Sequence, residues 1–451
     1  MRLVQPMIAN VLFPLQERIK GHSTQRAFRD MERSQWLSVD EVQALQAQHL
    51  RDFLVRIGDS VPYYRKLFAE RYFEPATITG VGDLIRLPRL DKCTIRANTE
   101  ELKPTGSEGR LRRFNTGGSS GEPLIFFLSN ERVSHDVAAK RRATRWWDVD
   151  IGDRELVVWG SPIELGAQDR LRLLRDRMMR TELLSAFEMS PENLARFVAR
   201  IRRRRPAMLF GYPSSLAKIA EFAEGQGSRL DRLGIRVAFV TSERLYDYQR
   251  EAISRVFGCP VANGYGGRDA GFIAHECPQG SLHITAEDIV VEILDDAGNP
   301  VPAGESGEIV VTHLRTGDFP FVRYRTGDVG TLGAAPCACG RGLPVLASVQ
   351  GRSTDFVVAA DGTILHGLAL IYVLRDMPEV ANFRIVQESL NLTRVQVVVR
   401  QALTPAVESQ VREGLQARLG AGVTIDVEAV TEIPPEASGK FRYVVSKVSA
   451  A

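Results

Sequence analysis

A chain of 451 residues with 44% hydrophobic content is longer than one core can serve, so two or more globular domains are expected. Lys and Arg total 58 against 55 Asp and Glu, and the resulting charge of +3 gives no general attraction to nucleic acid, leaving the run Arg202–Arg205 to be read locally as a solvated helix end. Five cysteines, an odd and sparse set, exclude a disulfide framework and leave reduced thiols or metal ligands.

The start, residues 1–15, is broken by Gln5, Asn10 and Pro14 and reads as a helix or turn, with no cleavage site of the export type after it. No segment reaches the ~20 uninterrupted apolar residues of a membrane span, so a cytoplasmic protein with no membrane span is expected. Val42, Leu45, Leu50, Leu54 and Val55 recur at helical spacing after Ser38 or Asp40 as N-cap, and the first hundred residues read as mainly helical. Beyond Arg113, apolar runs at 155–159, 207–210 and 237–240 alternate with helical stretches at 190–204, 214–226 and 246–257, the rhythm of buried parallel strands with crossovers.

After Gly280 the pattern changes to short β-rich runs, 289–294 and 308–311, which predicts a smaller antiparallel or barrel-like part. From Asp355 onwards, Phe356–Val358 and Ile364-Leu365 flank Asp361-Gly362, a type I′ hairpin signal, and a helix, a strand over 394–399, another helix and a last strand follow. The fold class is therefore α/β: a large N-terminal domain of covered sheets plus a β-rich part (1–353), and a small mobile α+β C-terminal domain (354–451).

Five short motifs stand in order along this frame. Thr116-Gly117-Gly118-Ser119-Ser120-Gly121-Glu122-Pro123 offers backbone N–H groups and hydroxyls without bulk, which suits phosphate oxygens, and it lacks the Walker A pattern of an ordinary kinase. Asn263–Asp269, Tyr324-Arg325-Thr326-Gly327-Asp328, Gly351–Asp355 and Pro434-Pro435-x-x-Ser438-Gly439-Lys440-Phe441-Arg442 follow. Their order and spacing resemble the adenylate-forming superfamily of acyl-CoA synthetases. Tyr265-Gly266, His275-Glu276-Cys277, His283 and Cys337-x-Cys339-Gly340-Arg341 resemble its phenylacetate-CoA ligase branch and the related capsule-biosynthesis-type adenylating proteins.

The resemblance implies ATP as substrate, with Thr116–Gly121 around its phosphates, Tyr265 and Gly266 beside the adenine and Asp328 accepting from both ribose hydroxyls. Arg352 would reach the nucleotide at the domain junction and Asp355 would be the hinge of the small domain. Asp269 takes the place of a metal-holding acid that is more often Glu; one or two carboxylates with phosphate oxygens suffice for Mg²⁺. Lys440 is the expected catalytic cation, since charge gathering around a five-coordinate α-phosphorus needs one. Arg315-Thr316-Gly317-Asp318 repeats part of the ribose motif without its Tyr and is read as a loop.

Cys277, His283, Cys337 and Cys339 make a complete donor set for a tetrahedral structural Zn²⁺, although the Cys-x-Cys spacing is tight and buried free thiols are the alternative. Some members of the resembling branch hold such a zinc. The expected reaction joins a small-molecule carboxylic acid, aromatic favoured, to coenzyme A through an acyl-adenylate, releasing AMP and pyrophosphate. Transfer to a carrier-protein thiol or to an amine is the alternative, and a nucleotide-binding protein without turnover is the reading from another class. Members of the family often dimerise, so a homodimer is within what the resemblance implies.

Overall fold

The computed structural model describes residues 4–107, 111–115, 124–159, 170–186, 188–350, 356–375, 377–433 and 443–448. Short runs at 4–19 and the helices Thr24–Ser34, Val39–Ser60 and Pro62–Glu70 make the first hundred residues helical, as their periodicity predicts. Ser38 caps the longest through a capping box with Glu41, which satisfies two otherwise orphaned backbone donors.

Twenty strands follow among the described residues. They are β1 (Arg112–Asn115), β2 (Ile125–Leu128), β3 (Glu155–Trp159), β4 (Thr181–Ser185), β5 (Glu188–Met189), β6 (Met208–Gly211), β7 (Val237–Thr241), β8 (Val261–Gly267), β9 (Gly271–Glu276) and β10 (Leu282–Ile284). The remainder are β11 (Ile289–Leu294), β12 (Ser306–His313), β13 (Tyr324–Leu332), β14 (Val345–Gln350), β15 (Phe356–Val358), β16 (Ile364–His366), β17 (Val380–Ser389), β18 (Leu392–Val399), β19 (Thr424–Ala429) and β20 (Val444–Ser446).

Eleven of them form one sheet in the order β11-β12-β13-β14-β10-β9-β8-β7-β6-β3-β4. The β-rich part is thus no separate barrel: β8 pairs parallel with β7 on one side and antiparallel with β9 on the other, so one ladder runs through both halves. The sequence pattern changes there because parallel strands are covered on both faces and read as continuous apolar runs, whereas antiparallel ones alternate. The helices Pro191–Arg204, Pro213–Gly225 and Asp247–Phe257 are three of the crossovers of the parallel half, and Leu194, Ile201, Leu216, Ile219, Ile253 and Phe257 bury against Leu156, Leu209, Ala238 and Val240. The N-terminal helices supply Leu50, Leu54, Ile57 and Tyr64 to a second core under the antiparallel half.

The join is braced by buried charge. Arg142, from the helix Asn130–Arg145, donates to Glu287 Oε1 at 2.5 Å, and Ser34 donates to the same oxygen at 2.6 Å. Asp288 next to it accepts from His135 Nδ1 at 2.9 Å and Arg315 Nε at 3.3 Å, and burial is outweighed by these partners, which hold its carboxyl well below the usual range.

In the C-terminal region a four-stranded sheet, β19-β18-β17-β20, packs against the helices Leu368–Arg375 and Pro405–Leu419 through Leu370, Leu374, Val395, Val411 and Leu415. The predicted hairpin is β15–β16, but Val358 faces Ile364 and five residues intervene, closed by Ala359 N–H to Thr363 O at 2.7 Å, so this is not a two-residue type I′ turn. β16 also pairs with β5 of the preceding body. Among the described residues, no helix is long and apolar enough to cross a membrane.

Candidate active site

β3, β6 and β7 are parallel and end at one edge, and β8 joins them there before the sheet changes direction. Ligands of open α/β sheets collect at the carboxyl ends of strands beside such a switch. β8 ends in Gly264-Tyr265-Gly266-Gly267 and turns through Arg268–Ala270 into β9, with Gly267 opposite Gly271 and a register shift between Tyr265 and Gly266. A Cβ on Gly266 would stand 2.2 Å from the Gly271 carbonyl oxygen, so the hairpin closes this tightly only with glycine there.

β13 carries the Tyr324–Asp328 motif as a bulge. Glu308 faces Val329 and Val310 faces Arg325, so Thr326-Gly327-Asp328 stand opposite Ile309 alone. Gly327 has φ +75°, open to glycine at little cost, and Thr326 Oγ1 accepts the Asp328 N–H at 3.1 Å while donating to Ile309 O at 2.7 Å. The bulge thereby turns Asp328 towards the hairpin of β8 and β9.

Two phenols tie these elements together. Tyr265 donates to Asp328 Oδ2 at 3.0 Å, and Tyr324 donates to Asp269 Oδ2 at 2.7 Å. Asp269 Oδ1 accepts the Ala270 N–H at 3.1 Å. Four residues from two motifs therefore converge, with Tyr324 as the partner that motif reading left without a role. Arg315-Thr316-Gly317-Asp318 is a loop, as expected. The Gly- and Ser-rich segment Thr116, Gly117, Gly118, Ser119, Ser120 and Gly121, together with Arg352, Asp355 and Lys440, lies outside the described residues.

Sequence reasoning also passed over side chains that follow the neighbouring strands. Trp159 ends β3 and stacks on Tyr212 with ring centroids 4.3 Å apart, and Ser214 donates its hydroxyl to Glu243, the residue after Ser242, whose φ is +74°. Their sequence signal is position: each ends or follows a parallel strand at the edge where Tyr265 stands.

Cys277, His283, Cys337 and Cys339 also converge, their donor atoms lying within 4.8 Å of one another. Cys277 and Cys337 sulfurs are 3.7 Å apart, close to the ~3.8 Å edge of a tetrahedron with ~2.3 Å Zn–S bonds. His283 Nδ1 donates to Leu343 O at 3.1 Å, which leaves the Nε2 lone pair facing Cys339 Sγ at 3.2 Å. Burial pushes the Cys277 thiol up to about 11; burial also opposes ionisation of Cys337, but hydrogen bonds from Ser281 and Cys339 bring it below the usual thiol value. His275 and His313, left out of the set, are buried elsewhere. The donors fit a tetrahedral ion. Asp269 precedes β9 and Cys277 follows it, so about 20 Å of extended chain separates this cluster from Asp269.

Two family models match the chain: AMP-binding enzyme over residues 183–314 and the CapK C-terminal domain over 357–447. Protein CapK of Staphylococcus aureus is 24% identical over 408 residues, 90% of this chain and 89% of its own. The phenylacetate-coenzyme A ligase of Pseudomonas putida is 27% identical over 349 residues, 75% of this chain and 76% of its own. The fold is shared with a 2-hydroxyisobutyryl-CoA ligase solved with an acyl-adenylate and CoA in its thioesterification state: TM-score 0.66, 21% identity, 92% of this chain and 91% of that one.

Proposed function

We propose, from the premise that this chain belongs to the adenylate-forming superfamily on its phenylacetate-CoA ligase and CapK branch, that it is an AMP-forming acid–CoA ligase. A carboxylate oxygen attacks the α-phosphorus of ATP and the bond to pyrophosphate breaks; the sulfur of coenzyme A, giving up its proton, then attacks the acyl carbon of the acyl-adenylate, forming the thioester as the bond to AMP breaks. The observation that carries the reading is the pair Tyr265–Asp328 beside Tyr324–Asp269 at the carboxyl edge of the sheet.

In this reading Asp328 accepts from the ribose hydroxyls, Tyr265 covers the adenine face, and Gly266 lets the hairpin lie close to the nucleotide. Thr116–Gly121 cradle the phosphates, Arg352 reaches the nucleotide, and Lys440 delivers positive charge to the α-phosphate. Asp269 holds Mg²⁺, which neutralises phosphate charge when bound. The small domain, residues 354–451, turns about Asp355 to withdraw Lys440 and admit the thiol. Trp159 and Tyr212 offer an aromatic wall at the same edge, which supports an aromatic acid. Cys277, His283, Cys337 and Cys339 hold a structural Zn²⁺ that ties the 333–344 loop to β9 and β10.

The alternative acceptor for the acyl group is a carrier thiol or an amine. Carboxylate-dependent pyrophosphate release, measured with coenzyme A and with other acceptors, separates the two. Absence of release with every acid tested overturns both.

A further inference from the structure

At the opposite edge of the parallel half, the neighbouring strands β4, β3, β6 and β7 are each entered through an arginine. Arg180 immediately precedes β4, Arg154 precedes β3 and Arg236 precedes β7, while Arg205 lies three residues before the start of β6. Backbone bonds hold them side by side: Glu155 N–H to Arg180 O at 3.2 Å, Ala207 N–H to Arg154 O at 2.7 Å, and Arg236 N–H to Ala207 O at 2.8 Å. Three strand steps of about 4.8 Å make this a row of roughly 14 Å.

Two adjoining cavities, of 340 and 160 Å³, open on the row and share Arg154 and Arg180; Arg204 and Arg177 line the smaller, Arg205 and Arg236 the larger. Acidic neighbours answer part of this charge. Asp153 pairs with Arg236 at 3.0 Å, and Glu182 pairs with Arg200 at 2.7 Å and with Arg204. Arg180 and Arg205 each give one nitrogen to a backbone carbonyl, of Gly152 and Arg232. Among the described residues neither Arg154 nor Arg177 makes an ion pair, although the Asp153 charge acts on Arg154. Burial first, then the charges of Arg180, Arg205 and Arg204, hold the Arg154 guanidinium below its ordinary value, a repulsion that an anion would relieve. Arg180 and Arg205 stand at φ +64° and +46°, backbone that favours glycine, yet carry guanidinium groups into the same place.

We propose that this edge is a binding site for a short oligophosphate, a chain of two or three phosphate groups, remote from the catalytic edge. Guanidinium forks match phosphate oxygens two at a time, and a row of them matches several linked phosphates rather than one. Among the described residues no aromatic ring lines either cavity to stack a base, and Asp153, Glu155 and Glu182 interrupt the continuous basic stripe that a nucleic-acid strand follows. Bound phosphates would bridge β4, β3, β6 and β7, whose far ends carry Trp159, Tyr212 and Ser242.

The test is calorimetric titration of the full chain with inorganic tripolyphosphate at fixed ionic strength, the nucleotide site being first saturated with α,β-methylene ATP. One equivalent is expected to bind, with orthophosphate about tenfold or more weaker. Arg154→Gln with Arg180→Gly should weaken tripolyphosphate about tenfold or more while leaving carboxylate-dependent pyrophosphate release at its basal level. Arg154→Lys with Arg180→Lys, which keeps the charge but not the fork, should bind with intermediate affinity and serves if the first variant does not fold. Undiminished binding in the variants overturns the site, as does absence of binding to the native chain. Binding of heparin without binding of tripolyphosphate overturns it too, since that marks a surface for long polymers.

Discussion

The phenol of Tyr265 stands 3.0 Å from Asp328 Oδ2, joining the end of β8 to a bulge in β13 across 63 residues of sequence. A carboxylate held this way is oriented before any nucleotide arrives. Asp328→Ala is expected to raise the KM for ATP by about 10–100-fold, the worth of one or two charge-assisted hydrogen bonds. Tyr265→Phe, which keeps the ring and removes the tether, should raise it only about 2–10-fold. ATP–pyrophosphate exchange over a range of ATP concentrations checks both, and an equal effect of the two changes would mean that Asp328 does not meet the ribose.

Tyr324 and the Ala270 N–H fix both oxygens of Asp269. Asp269→Asn should raise the Mg²⁺ concentration for half-maximal activity by about tenfold or more, whereas Asp269→Glu should stay within about tenfold of the native rate. Tyr324→Phe retains the buried ring and its stacking on Phe321, so its effect should appear in Mg²⁺ titrations rather than in thermal stability.

Much of the frame was legible because buried parallel strands and amphipathic crossovers carry local signatures: β3, β6 and β7 and the three helices between β5 and β8 lie within a residue or two of where apolar runs place them. β17 was not, because Val380–Ser389 mixes Asn382, Arg384 and Gln387 with its apolar residues and takes its strand character from pairing with β18. The convergence of Cys277, His283, Cys337 and Cys339 could be suspected from residue types alone. The partnership of Tyr324 with Asp269 could not, since it depends on which residues of β13 the bulge turns towards β8 and β9.

Zinc chemistry gives an independent prediction. The purified chain should carry one equivalent of Zn²⁺, and Cys337→Ser should lose it and lower the melting temperature by roughly 5–10 °C. Below that melting range the rate should change little, because the cluster lies at the far end of β9 from Asp269. Zinc should also leave as pH falls, since thiolates and a neutral imidazole are the ligands.

Burial first, then the Arg132 charge, pushes His313 down to about 4 from its ordinary 6.5. A depressed folded value means stability that is complete above pH 6.5 and lost as pH falls towards 4, because the unfolded chain takes the proton first. Urea midpoints should decline over that window, and His313→Asn should flatten the decline by up to about 1.4 kcal/mol per pH unit.

Lys440→Ala should abolish ATP–pyrophosphate exchange and spare thioester formation from supplied acyl-adenylate, because the cation serves only the first step. Intact exchange in this variant would remove Lys440 from the catalytic machinery.

The most direct measurement is pyrophosphate release from Mg·ATP across aryl, arylacetic, fatty and amino acids, with and without coenzyme A. Release that depends on one class of acid and accelerates with coenzyme A is expected; release unchanged by coenzyme A points to another acceptor, and no release with any acid contradicts acyl-adenylate chemistry.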